Sequence, residues 1–254
     1  MIDTHCHIND KRYKKDLNEV ILKAIDSGVQ KMICVGVDLK TSEKSLKIAD
    51  TFNEVYASVG YHPHESKEAK KGYLYELESM AKNPKVVAIG ETGLDYHYNI
   101  SNKLVQKKIF NEQIELSKDL KIPIIIHNRS SDADLISIIE STNLSNGVVH
   151  CFSGDWDFAK KLLSHNIKLS FTGMITFIKD PILEVLEKIN LEDFFIETDS
   201  PYLAPAPYRG KRNEPSMIKL IAEKIADVKK LPTKKIVNHT TDNALKFFKK
   251  LTDS

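Results

Sequence analysis

The residues best equipped for chemistry begin at the third position, in Asp3-Thr4-His5-Cys6-His7. Two imidazoles one residue apart in extended chain point to the same face, and neutral imidazoles bind divalent cations. A His-x-His alone is common, so its meaning rests on what lies downstream. That is Gly60-Tyr61-His62-Pro63-His64, Gly90-Glu91-Thr92-Gly93-Leu94-Asp95, His127, His150 and Glu197-Thr198-Asp199. Imidazoles and carboxylates are the ligands of metal-assisted hydrolysis.

The elements that must position these residues alternate. Short apolar runs read as strands: Met32–Val35, Val55–Val59, Val86–Ile89, Ile122–Ile126, Val148-Val149, Ile167–Phe171 and Phe194–Ile196, after a first strand at the amino terminus. Between them, helical spacing of apolar residues predicts helices over Tyr13–Ser27, Ser42–Phe52, Tyr73–Ala81, Lys103–Leu120, Asp132–Ser141, Asp157–Leu163 and Pro181–Glu187, then Pro215–Val228 and Thr241–Lys249. Strands that alternate with helices make a parallel sheet, and eight such units in 254 residues suit a single-domain (β/α)₈ TIM barrel over residues 1–254. A doubly wound open sheet is the other solution. No Gly-x-Gly-x-x-Gly follows the first strand and no phosphate-loop motif occurs, which disfavours its nucleotide-binding forms.

Barrel chemistry lies at the carboxyl ends of the strands. The first strand ends at His5 and His7, the third runs into His62, the fourth into Glu91, the fifth into His127, the sixth into His150 and the eighth into Glu197 and Asp199. Histidines scattered through a core would not respect strand ends in this way. His5, His7, His127 and His150 with Glu91 and Asp199 exceed what one zinc ion needs, whereas two ions bridged by a carboxylate and a hydroxide use all six. His5, His7 and Asp199 are expected around one ion, His127 and His150 around the other, and Glu91 between them; Glu197 or Asp95 could exchange with Glu91 or Asp199. The donors suit zinc, manganese or iron, with magnesium an imperfect occupant. His62 is expected to bind a substrate oxygen and His64 to be structural. Cys6, Cys151 and Trp156 are read as packing, and His97, His165 and His239 are given no role.

Composition narrows the setting. Lys+Arg 37 against Asp+Glu 35 gives a formal charge of +2, so no strong basic field advertises nucleic acid. Three separated cysteines without Cys-x-x-Cys argue against a disulfide framework or zinc knuckle. The chain shows neither a secretory leader nor an apolar run approaching the roughly 20 residues that span a bilayer, so a soluble, cytoplasmic protein is expected, as a monomer by default. The proline-rich, basic loop Pro201–Pro215 is too long for a mere connection.

The motifs resemble those of the TatD-type metal-dependent deoxyribonucleases, a branch of the amidohydrolase-like barrels. They are Asp3–His7, Gly60–His64, Gly90–Tyr96, Ile126–Arg129, His150–Gly154, Glu197–Pro205 and Arg209–Pro215, in order from residue 3 to 215. Asn128 departs from the expected smaller residue such as serine. The resemblance implies a (β/α)₈ barrel, a two-ion site (Mg²⁺, Mn²⁺ or Zn²⁺) on His5, His7, Glu91, His127, His150 and Asp199, and hydrolysis of DNA phosphodiesters, from single strands or 3′ ends. In the expected mechanism Glu91 fixes the ion separation and Asp199 accepts the water proton. His62, Arg129, Arg209 and Lys211 then meet the phosphoryl charge. The alternative is hydrolysis of a carboxylic ester, an amide or an aminoacyl-tRNA ester by the same centre.

Overall fold

A computed structural model gives the fold, and it describes residues 1–178 and 180–252. The eight strands are β1 (Ile2–Cys6), β2 (Lys31–Val35), β3 (Val55–Val59), β4 (Val86–Asp95), β5 (Ile124–Arg129), β6 (Gly147–Val149), β7 (Lys168–Phe171) and β8 (Phe194–Ile196). Each pairs in parallel with the next, in the order β1 to β8. The segment after β8 closes the ring onto β1, since the Asp199 amide donates to His5 O at 2.9 Å and the His7 amide to Ser200 O at 2.6 Å. Asp3 reinforces that seam: its two carboxylate oxygens accept from the amide and the hydroxyl of Thr198 at 2.9 and 2.6 Å. Burial pushes the Asp3 carboxyl up to about 7, against the pull of those bonds.

The helices cover the outside as α1 (Leu17–Asp26), α2 (Leu39–Thr51), α3 (Tyr73–Ala81), α4 (Lys103–Leu120), α5 (Asp132–Thr142), α6 (Trp156–Ser164), α7 (Ile182–Lys188), α8 (Ile218–Lys229) and α9 (Thr233–Phe247). Local chemistry starts several of them. Asp38 and Thr41 form a reciprocal capping box on α2, and Asn102 and Asp155 accept from first-turn amides of α4 and α6. Strand alternation divides the apolar residues. Met32 and Cys34 pack outward toward the helices, while Ile33 and Val35 join Ile2, Tyr56, Val87, Ile125 and Phe195 inside the barrel. Phe248, fully buried, and Leu251 close the interior from the end of α9. Among the described residues no helix is long and apolar enough to cross a membrane.

The largest differences from expectation lie in three elements. β4, predicted to stop at Ile89, continues to Asp95 and pairs with β5 as far as Arg129, so Glu91 lies inside a strand. Gly93 makes this approach possible: at φ +138° a Cβ there would stand 2.1 Å from His127 O. α1 begins at Leu17 because residues 11–13 form a separate 3₁₀ turn capped by Asp10. α9, expected from Thr241, starts at Thr233 behind Pro232.

Candidate metal centre

The rim at the carboxyl ends of the strands holds a cleft of about 780 Å³, with His7, His62, Glu91, His127, His150 and Asp199 in its wall. His5 lies just beneath, fully buried. β1 supplies His5, and the residue just after that strand is His7; the turn after β3, the middle of β4, β5 and the turns after β6 and β8 supply the rest. Six histidine rings form a continuous row from His7 through His5, His150, His127 and His62 to His64, with neighbouring centroids 4.0–5.4 Å apart.

Glu91 sits at the middle of that row and divides it. Its Oε2 lies 3.4 Å from His5 Nε2 and 3.6 Å from His7 Nε2. Asp199 Oδ1 is 3.7 Å from His5 Nε2 and 3.4 Å from His7 Nε2, and those two nitrogens are themselves 3.1 Å apart. Glu91 Oε1 accepts from His127 Nδ1 at 2.8 Å and lies 2.8 Å from His150 Nε2 and 3.4 Å from His62 Nε2. Two donors each about 2.1 Å from a single cation stand about 3.0–3.4 Å apart, and the first group, at 3.1–3.7 Å, lies close to that spacing. Three overlapping donor groups meet a metal-holding geometry: His5, His7 and Glu91; His5, His150 and Asp199; His62, Glu91 and His127. The residues present therefore fit divalent cations. A nearly buried carboxylate ringed by imidazoles is also unfavourable to leave without positive charge.

The electrostatics follow from this crowding. Burial raises the Glu91 carboxyl, but the histidines around it, chiefly the protonated His150, with the hydrogen bonds from His127 and His150 outweigh it and hold it well below the usual range. Asp199 is likewise held low, its burial outweighed by His7 and His5. Burial lowers His150, yet Glu91 and Glu197 carry it well above the ordinary imidazole value; His7 and His127 are also raised, by Asp199 and by Asp95 with Glu91. His5 and His62 go the other way, because burial dominates there.

Partners behind the row orient it. Asp95 Oδ2 lies 3.3 Å from His127 Nε2 and 2.9 Å from His64 Nε2, which fixes His127 with Nδ1 facing Glu91. His7 Nδ1 faces Val35 O at 3.3 Å. Glu197 Oε1 accepts from the Cys151 amide at 2.7 Å and stands 3.4 Å from His150 Nδ1, an electrostatic approach without a formed hydrogen bond. Asp95 and Glu197 thus sit behind histidines, where sequence reasoning offered them only as substitutes for Glu91 or Asp199. The signal for Asp95 was present: four residues from Glu91 along a strand puts both on one face.

The remaining predicted residues divide. Arg129 lines the cleft with its guanidinium 4.7 Å above the Tyr98 ring. Arg209, stacked 4.2 Å over Phe177, and Lys211, beside Tyr208, are exposed and lie outside the cleft wall. Cys6 is fully buried and points away from the row, its thiol directed at Ile33 O. Trp156 packs against the outer core at the start of α6. Asn128 accepts from Ser131 Oγ and donates to Asp132 Oδ1, joining the end of β5 to the first turn of α5.

The sequence and fold match known proteins along their whole length. The family model described as TatD-related DNase matches residues 2–249. A Bacillus subtilis relative named uncharacterized metal-dependent hydrolase YabD is 40% identical over 253 residues, covering 98% of this chain and 99% of its own. The 3′-5′ ssDNA/RNA exonuclease TatD of Escherichia coli is 30% identical over 234 residues, covering 89% and 90%. The solved structure of YjjV, a TatD homolog from Escherichia coli, superposes with a TM-score of 0.93 at 26% identity, covering 98% of each chain. On this evidence the chain belongs to the family of TatD-related DNases, among whose members are proteins named metal-dependent hydrolases.

Proposed function

We propose that the protein is a metal-dependent hydrolase of nucleic-acid phosphodiesters, acting on single-stranded DNA from its ends. The observation that carries this reading is the split carboxylate of Glu91, with one oxygen toward His5 and His7 and the other toward His127, His150 and His62. The matched family and the exonuclease relative support the substrate class. Two divalent cations, magnesium, manganese or zinc, would be held by His5, His7, Glu91, His127, His150 and Asp199, and would supply the charge that acidifies a water and draws in the phosphate.

The chain's own residues do the rest. Asp199, ionised because His7 and His5 hold its pKa down, accepts the proton of the attacking water. Glu91 fixes the separation of the two donor groups. His62 Nδ1 accepts from the His64 amide at 3.1 Å, so the ring proton sits on Nε2, on the side of Glu91 and the cleft. With burial keeping this imidazole neutral, His62 Nε2–H donates to a phosphoryl oxygen as charge grows there. Arg129 binds a phosphate at the edge of the cleft.

The test is turnover of a short single-stranded DNA against an aminoacyl ester by protein stripped of metal and then given Mg²⁺, Mn²⁺ or Zn²⁺. DNA cleavage restored by a divalent ion, and lost by at least a thousandfold in Asp199→Asn with its melting temperature kept, is expected. Restored turnover confined to the aminoacyl ester would overturn the nuclease reading, and full activity in Asp199→Asn would overturn the mechanism.

A further inference from the structure

The row of histidines ends in a tyrosine on each side. Tyr202, in the loop after β8, meets His7 edge-on at 6.1 Å; Tyr98, in the turn after β4, meets His64 edge-on at 5.5 Å. Both line the cleft, and both remain about half exposed, 48% for Tyr202 and 56% for Tyr98, which is unusual for large aromatic rings in a cleft wall. The strands run in order around the barrel, so the β8–β1 junction and the β4–β5 junction lie half a circumference apart. The two rings therefore face the donor groups from opposite ends of the mouth.

Each ring carries an arginine on one face. Arg12 lies 4.4 Å above Tyr202 and Arg129 4.7 Å above Tyr98. Such a pairing stiffens the ring and leaves its other face for a ligand. The arginines differ in one respect. Arg12 is clamped by Asp10, with Nε–Oδ1 2.8 Å and Nη2–Oδ2 3.1 Å, so its charge is balanced. The Arg129 guanidinium forms no ion pair among the described residues. One end of the cleft thus offers an aromatic surface with little net charge, and the other an aromatic surface beside an unbalanced cation.

Resting on the phosphodiesterase reading, we propose that Tyr202 and Tyr98 stack the two nucleobases that flank the cleaved phosphodiester. The terminal nucleoside, which carries no further phosphate, takes the Tyr202 end. The continuing chain takes the Tyr98 end, where Arg129 holds its next phosphate. Stacking on a π-face is indifferent to base identity, so this arrangement selects single strands without selecting sequence.

The test compares KM values of the full-length, manganese-loaded protein for a thymidine trinucleotide and for two analogues, each abasic at one nucleoside flanking the cleaved bond. Each abasic analogue is expected to raise the wild-type KM about tenfold, within the range of base–aromatic stacking. Tyr98→Ala should raise the KM for the full trinucleotide about as much and show no further rise with the analogue abasic on its own side. Tyr202→Ala should do the same for the other analogue. Tyr98→Phe and Tyr202→Phe, which keep the ring, should stay near wild type. Arg129→Ala should raise KM for the trinucleotide and not for a dinucleotide, which has no second phosphate. Independent, additive losses between tyrosine and base, or equal effects of Arg129→Ala on both lengths, overturn this assignment while leaving the nuclease reading intact. A wild type that cleaves no oligonucleotide but hydrolyses an aminoacyl ester overturns both.

Discussion

At the residue scale, Glu91 presents Oε2 to His5 and His7 and Oε1 to His127, His150 and His62. Glu91→Gln keeps the volume but removes the charge that both donor groups share. On the two-ion reading proposed above, calorimetric titration with Mn²⁺ should then fall to one ion per chain or none, and two ions bound with unchanged affinity would overturn the role of Glu91 in holding them. Protons compete for the same nitrogens. Because carboxylates raise His7, His127 and His150 in the metal-free protein, those imidazoles hold protons from above pH 6.5 downward, and a cation must displace them. In the metal-free chain their stabilising contribution is complete below the ordinary imidazole value and is lost as pH rises through the raised one. Metal affinity has the opposite slope. The rise in melting temperature on adding Mn²⁺ should therefore grow steadily from pH 6 to pH 8, and a flat or inverted profile in a melting series would contradict this charge assignment.

At the element scale, β4 carries the centre because it stays in the sheet past the point where its apolar run ends. Glu91, Gly93 and Asp95 alternate onto one face, which brings the carboxylate between the donor groups and Asp95 behind His127. The close approach of β4 to β5 depends on Gly93, whose φ of +138° and lack of a Cβ leave room for His127 O. Gly93→Ala must strain the backbone and push the strands apart. A destabilisation of about 3 kcal/mol by denaturant titration is expected, with weakened Mn²⁺ binding because His127 sits on the displaced strand. Unaltered stability would mean that the strand tolerates a side chain there.

At the scale of the whole molecule, the barrel keeps its chemistry at one end and an aromatic plug at the other. Phe195 packs at 5.1 and 5.8 Å from Phe247 and Phe248, and Asn243 ties α9 to Leu191 O and Phe194 O. Stability and activity are expected to separate along this axis. Phe248→Ala should cost about 3–5 kcal/mol by leaving a cavity under the barrel, while KM for a cleaved oligonucleotide stays within twofold of wild type. A large change in KM with a small change in stability would reverse that division. Within the basic, proline-rich loop, Tyr202 and Leu203 line the cleft, whereas Arg209 and Lys211 lie outside its wall, their cations near Phe177 and Tyr208.

The sequence by itself determined the alternation of strands and helices, the parallel barrel and which polar residues stand at one rim, because strand ends are visible as the point where an apolar run meets a polar residue. It also carried the family motifs. The span of β4 past Ile89 was hidden, since its apolar run ends there, and only the proximity of β5 shows that Gly90 and Gly93 admit a neighbouring backbone. The tertiary structure alone decided which oxygen of Glu91 faces which histidines and placed Asp95 and Glu197 behind histidines of the row. It also set Tyr98 and Tyr202 at opposite ends of the mouth. Those are relations between residues far apart in the chain, and a one-dimensional pattern fixes the face on which a side chain emerges but not the partner it meets there.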